Sequence, residues 1–458
     1  MSLAQVLADD GAAMRLARAF RGAGHELYLV GGPVRDAFLG RSSPDLDFAT
    51  DAEPDKTLDL LKPFAKSVWL QGMKYGTVGA LVEGVDYEIT TFRTEKYQPS
   101  SRHPEVEFAA DIETDLSRRD FTVNSMAVRL PEKTAVDPFD GLSDLKARLL
   151  RTPVAPDDSF LDDPLRMLRA FRFASQLDFK ISDDALDAIA RHRETLGTIS
   201  PERIQEELSK LLLGRQPGRA LELADSTGIT EFFLPELGAL KLEQDPVHRH
   251  KDVFHHTLAV LERTDPILEL RLAALLHDIG KPKTRRITSE GVTFYHHEVV
   301  GSEMAAKRLR ALRYPNDVVD QVEKAIYLHH RFHGYDDDHW TDSAVRRYVR
   351  DAGPELPLLN GLVRADCTTR NRRRAEVLRL RMDAFEQRIA ELAEREALDR
   401  IRPELDGKQV MDHLGVEPGP VVGKALAYLL EIRLEEGEVG EAEAYRRLEL
   451  WAEEQGLR

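Results

Sequence analysis

The spacing of apolar positions changes at a few places along this chain, and each change marks a different kind of structure. Residues 1–26 place Leu3, Val6, Leu7, Met14, Leu16, Ala17 and Phe20 at helical spacing, which predicts an amphipathic helix. From 27 to 150 the apolar runs shorten. Leu27–Val30, Thr77–Val82, Tyr87–Phe92 and Met126–Leu130 are separated by Gly, Asp and Pro, the strand-and-turn pattern of a small α+β domain. After Pro156 the strand signal fades. Residues 157–230 carry helical periodicity, broken at Ser200-Pro201, an N-cap followed by a first-turn proline. Residues 246–366 are helical and rich in histidine. Leu378, Met382, Phe385, Ile389 and Leu392 recur at steps of four and three, so one helix presents an apolar stripe to a neighbour or partner. Residues 403–458 are helical again, punctuated by Gly407, Gly415, Gly419 and Pro420. The pattern places domains at 1–155, 156–240, 241–370 and 371–458, with no internal repeat and no low-complexity segment.

Composition narrows the class. The chain has 458 residues, 42% of them hydrophobic and 31% charged, as expected of a helix-rich soluble protein of two to four domains. A single cysteine, Cys367, excludes an internal disulfide and fits a reducing compartment. Asp9 and Asp10 interrupt the N-terminus, and no signal-peptide pattern is present. No stretch approaches the roughly 20 apolar residues that span a bilayer. The expectation is a cytoplasmic protein without a membrane partner. The net charge of −16 argues against a nucleic-acid partner only as a sum, because local basic faces are hidden in it.

Candidate chemistry begins at Leu29-Val30-Gly31-Gly32-Pro33-Val34-Arg35-Asp36, with Asp45-Leu46-Asp47 shortly after it. Paired glycines after an apolar run allow close backbone approach to a triphosphate. Asp45 and Asp47 would share one face of a strand, as ligands for Mg²⁺ that also holds phosphates. The competing reading is a surface turn with two solvated aspartates. Glu88, in Asp86–Arg93, is either a third carboxylate of a two-metal site or an edge-strand residue facing water. In Leu116–Ala127, Arg118 and Arg119 suit phosphate oxygens, while Asp120 and Asn124 suit sugar hydroxyls; ordinary helix capping is the alternative. Asp163 and Arg166 are three apart near a helix start, with Arg169 and Arg172 extending the face. An Asp and an Arg fixed side by side could pair with a nucleobase edge. They could equally form an intrahelical ion pair beside a solvated arginine stripe.

Taken in order, GGPVRD, DLD, MKYGTVG, YEITTFR, LSRRDFTVNSMA, DPFDG, DDPLRMLRAFRF and ISPERIQEEL resemble class II tRNA nucleotidyltransferases, the bacterial CCA-adding enzymes of the polymerase-β superfamily, over about residues 25–215. The resemblance implies an α+β fold: a polymerase-β-like nucleotidyltransferase head with a β-sheet, then an all-α neck, HD-type body and tail. It implies tRNA, CTP and ATP as partners and Mg²⁺ at the head. Asp45 and Asp47 would hold the catalytic metals, and Gly31, Gly32 and Arg35 would meet the triphosphate. Arg118, Arg119, Asp120 and Asn124 would serve ribose and phosphate recognition. Asp163 and Arg166 would be a protein template selecting CTP and then ATP, supported by Arg169 and Arg172. Asp162 stands where the family usually has Glu. The family's flexible loop falls at Glu95–Phe108, with Arg102-His103-Pro104 present and Ser100 where an acid is common. That loop resembles full CCA enzymes more than CC-adding variants. Gly72–Val78 resembles the CCA branch more than the poly(A) branch. A poly(A) polymerase or a partial CC- or A-adding enzyme is the same-fold alternative.

His256, His277-Asp278 and Asp366 are in the H…HD…D order of HD-domain phosphohydrolases, as ligands for a second divalent cation. His296, His297, His329 and His330 could line that site or bind another metal. This opens a different class of function: a metal phosphohydrolase working in the HD region, with the head as an RNA-binding module. Arg370, Arg372, Arg373, Arg374, Arg379 and Arg381 suit RNA phosphates, or a solvated helix paired with Glu376, Asp383 and Glu386. With a head of this kind, the helical domains would grip tRNA by shape and backbone.

Overall fold

A computed structural model describes residues 6–42, 45–96, 105–109, 111–242, 252–288, 291–334, 341–367, 372–396 and 401–457. Ser100 and Arg102-His103-Pro104 of the expected loop, and Arg370 of the arginine run, lie outside the described residues. The chain forms two compact units, 1–238 and 239–458.

The first unit is built on a seven-stranded sheet. Its strands are β1 (Leu27–Val30), β2 (Asp45–Thr50), β3 (Ser67–Trp69), β4 (Thr77–Val82), β5 (Val85–Thr91), β8 (Ala127–Leu130) and β9 (Thr134–Val136), in the order β3-β4-β5-β2-β1-β8-β9. A separate hairpin is formed by β6 (Arg93–Lys96) and β7 (Glu105–Phe108), around the expected loop. In the large sheet β2 and β5 run parallel and the other neighbours antiparallel. Central β1 is buried at all four positions, so it reads as a continuous apolar run rather than an alternating one. Tyr28, Val30, Ala49 and Phe92 form a core cluster with Ile112 and Leu116.

The helices of this unit include α1 (Ala12–Gly22), α2 (Gly32–Phe38), α3 (Pro54–Leu61), α4 (Ile112–Ser117), α5 (Pro156–Asp162), α6 (Leu165–Leu177), α7 (Pro201–Leu212) and α8 (Pro217–Ser226). Helix α1 is shorter than the expected 1–26 and buries Met14, Leu16, Ala17 and Phe20. Ser200 caps α7, its side chain accepting from the Arg203 N–H, with Pro201 at the first position. Helix α6 starts where expected, directly after Asp163-Pro164. Asp163 is extended (φ −138°, ψ 99°) because the adjoining Pro164 disfavours helical backbone before it.

The second unit is helical in bulk: α9 (Val253–Arg263), α10 (Leu268–Leu276), α11 (His297–Ala311), α12 (Asn316–Leu328), α13 (Asp342–Ala352), α14 (Leu356–Asp366), α15 (Arg372–Arg395), α16 (Gly407–Leu414), α17 (Pro420–Glu436) and α18 (Glu441–Glu454). The expected stripe lies on α15. Its Met382, Phe385 and Leu392 are buried in a cluster with Val345, Tyr348 and Val349 of α13, so a neighbouring helix covers them. Helix α16 opens with a reciprocal capping box between Asp406 and Gln409. Among the described residues, no helix is long and apolar enough to cross a membrane.

Candidate nucleotide and metal sites

Helix α2 begins one residue after β1. That residue, Gly31, has a φ of +73°, which suits glycine. A Cβ there would also lie 2.7 Å from Arg119 Nη1, so the absent side chain is the space that guanidinium occupies. Arg35, one turn into α2, is buried. It donates from Nε to Asp36 (2.9 Å) and from Nη1 to Asn124 Oδ1 (2.6 Å).

The acids meet across the parallel pair. Register partners in parallel strands share a face, and Asp45 is paired with Asp86 and Asp47 with Glu88. Strand β5 lies between β4 and β2, so Glu88 is not on a sheet edge. Asp45 and Glu88 are exposed, and Asp47 is half-buried. Burial raises the Asp47 carboxyl to about 6; Arg119 opposes the rise, and Glu88 and Asp45 add to it. Acids gathered on neighbouring strands, one of them lifted in this way, fit a site for a divalent cation.

A cleft of about 490 Å³ lies beside Asp47. It is lined by Gly31, Gly32, Arg35, Arg119, Asp120, Asn124, Asp163, Arg166, Arg169, Arg172 and other residues. Thus the structure gathers most of the expected nucleotide residues on one cavity. Arg118 is not among them: its Nε and Nη2 turn to Asp115 Oδ1 at 3.1 and 2.7 Å. Asp115 is fully buried and holds Arg119 as well, through Oδ2 at 3.2 Å.

Asp120 and Asn124 line the cleft but already have partners. Asp120 Oδ1 accepts from the Phe121 N–H and from Asn124 Nδ2, both at 2.8 Å, while Oδ2 accepts from Arg169 Nε at 2.8 Å. Asn124 Oδ1 accepts from Arg35. These two residues therefore position arginines, where sugar hydroxyls were the expected partners. Burial would raise the Asp120 carboxyl; Arg169 foremost, then Asn124, outweigh it and hold it far below the usual range.

Asp163 and Arg166 each have partners other than one another. Asp163 Oδ1 accepts from the Leu165 N–H (3.1 Å) and Oδ2 from Arg203 Nη2 (3.3 Å). Arg166, buried, donates to Ser159 O and Oγ (3.2 and 3.0 Å) and to Arg118 O (2.6 Å). Extended backbone at Asp163 takes that residue out of the α6 helix that carries Arg166. The intrahelical ion pair is not formed, and both residues line the cavity. Arg35, Arg169 and Arg172 gather round the Phe173 ring at 5.2, 5.4 and 4.2 Å.

Gln176, Arg203 and Lys210 also line the cavity, and the residue pattern did not point to them. Glu207, buried, holds Arg172 at 3.0 Å and lies 3.5 Å from Arg169. Arg203, Glu207 and Lys210 step by four and three along α7, from the ISPERIQEEL motif into the next turn. Their shared face was the available signal.

In the second unit histidines and aspartates converge from five helices. His256 lies in α9, His277-Asp278 come directly after α10, His297 opens α11, His329 adjoins the end of α12, and Asp366 ends α14. Two glycines set the approach. A Cβ on Gly280 would lie 2.2 Å from His297 O, and a Cβ on Gly301 would lie 3.3 Å from Gly280 N, so α11 packs directly on the segment after Asp278. His256 Nε2 lies 2.9 Å from Asp366 Oδ1 and 3.6 Å from Asp278 Oδ2. His277 Nε2 lies 3.3 Å from Asp278 Oδ2 and 3.6 Å from Asp366 Oδ1. Burial disfavours a charged His277 ring, but Asp278 and Asp366 outweigh it and raise the group to about 10. Burial, then the neighbouring His277, lowers His329 to about 3. His330 packs on His297, the ring centroids 5.1 Å apart. His296 stands apart, its side chain 81% exposed. In the arginine run, Arg379 pairs with Glu376 and Asp383 (2.6 and 2.8 Å), and Glu386 pairs with Arg364. Arg373 is exposed and Arg381 half-buried.

Comparison with known proteins finds three family models along the chain: a Poly A polymerase head domain at 27–151, a probable RNA and SrmB-binding site of polymerase A at 178–240, and an HD domain at 253–419. The CCA-adding enzyme of Pediococcus pentosaceus is 43% identical over 211 residues, 46% of this chain and 52% of that one. The CCA-adding enzyme of Bacillus subtilis is 43% identical over 210 residues, again 46% and 52%. The match thus spans about half the length of these curated relatives. The crystal structure of the Bacillus stearothermophilus CCA-adding enzyme in complex with CTP aligns with 97% of this chain and 98% of its own, at 26% identity and a TM-score of 0.71.

Proposed function

We propose, for a chain that belongs to the class II tRNA nucleotidyltransferase family and carries an HD domain, that it adds CCA to tRNA 3′ ends from CTP and ATP. The observation that carries this reading is the single cavity joining Gly31, Gly32 and the arginines Arg35, Arg119, Arg169 and Arg172 to Asp47. Glycine backbone and guanidinium groups suit a triphosphate, and the acids of β2 and β5 suit the cation that accompanies it. Asp45, Asp47 and Glu88 would hold divalent cations, Mg²⁺ first among them, which polarise the attacking 3′-hydroxyl and steady the departing pyrophosphate.

This chain's own residues do the rest. Arg119, held by Asp115 and seated over Gly31, offers positive charge beside Asp47. Asp120 and Asn124 hold Arg169 and Arg35 at the cavity, so these groups need no search through rotamers. Asp163 and Arg166 stand at the cavity wall, where a base edge could meet them. The tRNA would be held by the helical regions, chiefly by backbone charge and shape. Sequencing the 3′ ends made on tRNA lacking CCA tests the reading: addition of C, C and A in order supports it. A poly(A) tail, or a stop after CC, would replace it with a same-fold alternative.

The second unit favours a further activity. The imidazoles of His256 and His277 each lie within 3.6 Å of both carboxylates, Asp278 and Asp366. Such a mixed nitrogen and oxygen donor set suits a divalent transition metal. A cation there would suit hydrolysis of phosphoesters on RNA ends or nucleotides. Opening of a 2′,3′-cyclic phosphate to the monoester, or phosphate release from a 3′-phosphate, each lost on chelation, is the measurement.

A further inference from the structure

Cross-strand partners put four residues in one row across the large sheet. Trp69 of β3 pairs with Gly79 of β4, Gly79 with Glu88 of β5, and Glu88 with Asp47 of β2. Residues opposite one another on neighbouring strands share a face, so the Trp69 side chain stands on the face that carries the carboxylates. A Cβ on Gly79 would overlap the indole at Nε1 and Cε2 and lie 2.7 Å from Cδ1. The ring therefore lies across the bare glycine, one strand closer to Glu88 than its own backbone. Gly79 is buried beneath it, and Trp69 itself is half-buried. An aromatic ring laid on a glycine protects the strand. A ring left partly open to water is also a surface on which a base can stack.

The position of this row relative to Asp47 decides what it can meet. The nucleotide cavity reaches Asp47 from the β1 and β8 side, through Gly31, Gly32, Arg119 and Asn124, and its lining includes neither Glu88, Gly79 nor Trp69. In phosphoryl transfer the attacking and leaving oxygens lie roughly in line, on opposite sides of the phosphorus. A triphosphate held on the β1 side of Asp47 releases pyrophosphate on that side. The attacking 3′-hydroxyl then comes from the side of β5, β4 and β3, across Glu88. The neighbouring row on this flank carries Asp45 and Asp86, both exposed, and these acids disfavour RNA phosphates. A nucleobase, with its π-face, is the part of an RNA end that suits an indole here.

We propose that Trp69 is a stacking platform for a base of the RNA 3′ end and holds the terminal hydroxyl on the Glu88 side of the proposed cation site. The proposal rests on the nucleotide-addition reading and adds to it the seat of the acceptor strand. Stacking tolerates any base, so one ring serves each successive acceptor end.

The test uses the full chain and tRNA lacking CCA. Binding of that tRNA, without CTP or ATP, should quench part of the tryptophan emission, and Trp69→Phe should lack that part. Trp69→Leu should slow single-turnover addition of the first C roughly 5- to 150-fold at saturating tRNA and CTP, the range expected for loss of one aromatic–base stack. CTP affinity should stay near that of the parent, and Trp69→Phe should recover most of the rate, with thermal melting as the folding control. Addition by Trp69→Leu at the parental rate, or parental emission that tRNA leaves unchanged, overturns the platform and leaves nucleotide addition standing. Weaker CTP binding with an unchanged rate at saturation overturns it as well, because the indole would then serve the incoming nucleotide. If the parent adds no nucleotide, the nucleotide-addition reading fails, and the quenching comparison decides the platform by itself. The same comparison decides it if Trp69→Leu does not fold.

Discussion

Arg169 and Asp120 meet across 49 residues of chain, Nε lying 2.8 Å from Oδ2, and this contact ties α6 to the loop that leads into β8. Both groups are withdrawn from water, Asp120 more than Arg169. Asp120→Asn would leave Arg169 without its nearest counter-charge. It should destabilise the first unit by about 3 kcal/mol, the lower end of the cost of breaking a buried pair, since Arg169 keeps some access to water. The Asp120 carboxyl is held far below its ordinary value. Its stability contribution is therefore present above the unfolded value near 4 and lost as pH falls toward the folded one. Denaturant melts should show the variant's deficit at pH 7 shrinking below pH 4. An equal deficit at both pH values would mean that the pair contributes packing rather than charge.

Asp45→Ala and Asp47→Ala should each abolish nucleotide addition and leave melting and tRNA binding close to those of the parent. Neither side chain belongs to the apolar core, and each supplies a carboxylate to the proposed cation site. Addition and filter-binding assays on one preparation measure both. Addition near the parental rate by either variant would remove that residue from the cation site.

Arg166→Ala is expected to do two things. Its guanidinium holds Ser159 and the Arg118 carbonyl, so loss should cost about 1–3 kcal/mol by leaving buried acceptors unpaired. Misincorporation between CTP and ATP should rise as the cavity wall shifts. Asp163→Asn, which keeps the shape and removes the charge facing Arg203, should raise misincorporation with a smaller change in melting. Unchanged fidelity in both variants would assign the two residues a structural role alone.

Much of this architecture was legible in the chain because it depends on near neighbours. Gly31 stands out by composition, β1 by its apolar run, and the α15 stripe by its spacing. His277-Asp278 stand out as adjacent ligand types. The rest depends on contacts between segments far apart. The parallel register that sets Glu88 beside Asp47 comes from strand order, not from either strand. Glu207 acts through the packing of α7 on α6, 35 residues from Arg172. Helical spacing predicts a shared face for Asp163 and Arg166, and Pro164 overrides the spacing. The placing of His297 Nε2 3.6 Å from Asp278 Oδ1 goes with the close approach of Gly280 and Gly301, which no local pattern announces.

Arg346 joins three segments of the second unit. It is buried, contacts Glu396 through Nε and Nη2 at 2.9 Å each, and donates from Nη1 to Leu434 O and Glu435 O at 3.0 and 3.2 Å. Arg346→Ala should cost about 3–5 kcal/mol, because Glu396 and two helix-end carbonyls lose their donor. Arg346→Lys should recover little, since a single ammonium cannot reproduce the fork. Thermal melting compares them; a lysine variant as stable as the parent would show that charge alone matters.

The two proposed activities should separate. His277 and Asp278 belong to the second unit, and Asp45, Asp47 and Glu88 to the first. His277→Ala with Asp278→Ala removes an imidazole and a carboxylate of the proposed cation site, so metal-dependent phosphate ester hydrolysis should disappear. Nucleotide addition should persist, because no residue of the proposed nucleotide cavity is touched. Some loss of stability is expected as well: Lys281 loses the carboxylate it contacts at 2.7 Å, and a half-buried ammonium without a partner is costly. Both activities are read on one preparation, with melting as the control. Phosphate ester hydrolysis unchanged in the variant would place the hydrolase elsewhere. Loss of addition in a well-folded variant would show that the state of the histidine cluster reaches the nucleotide cavity, and the two sites would then have to be treated as coupled.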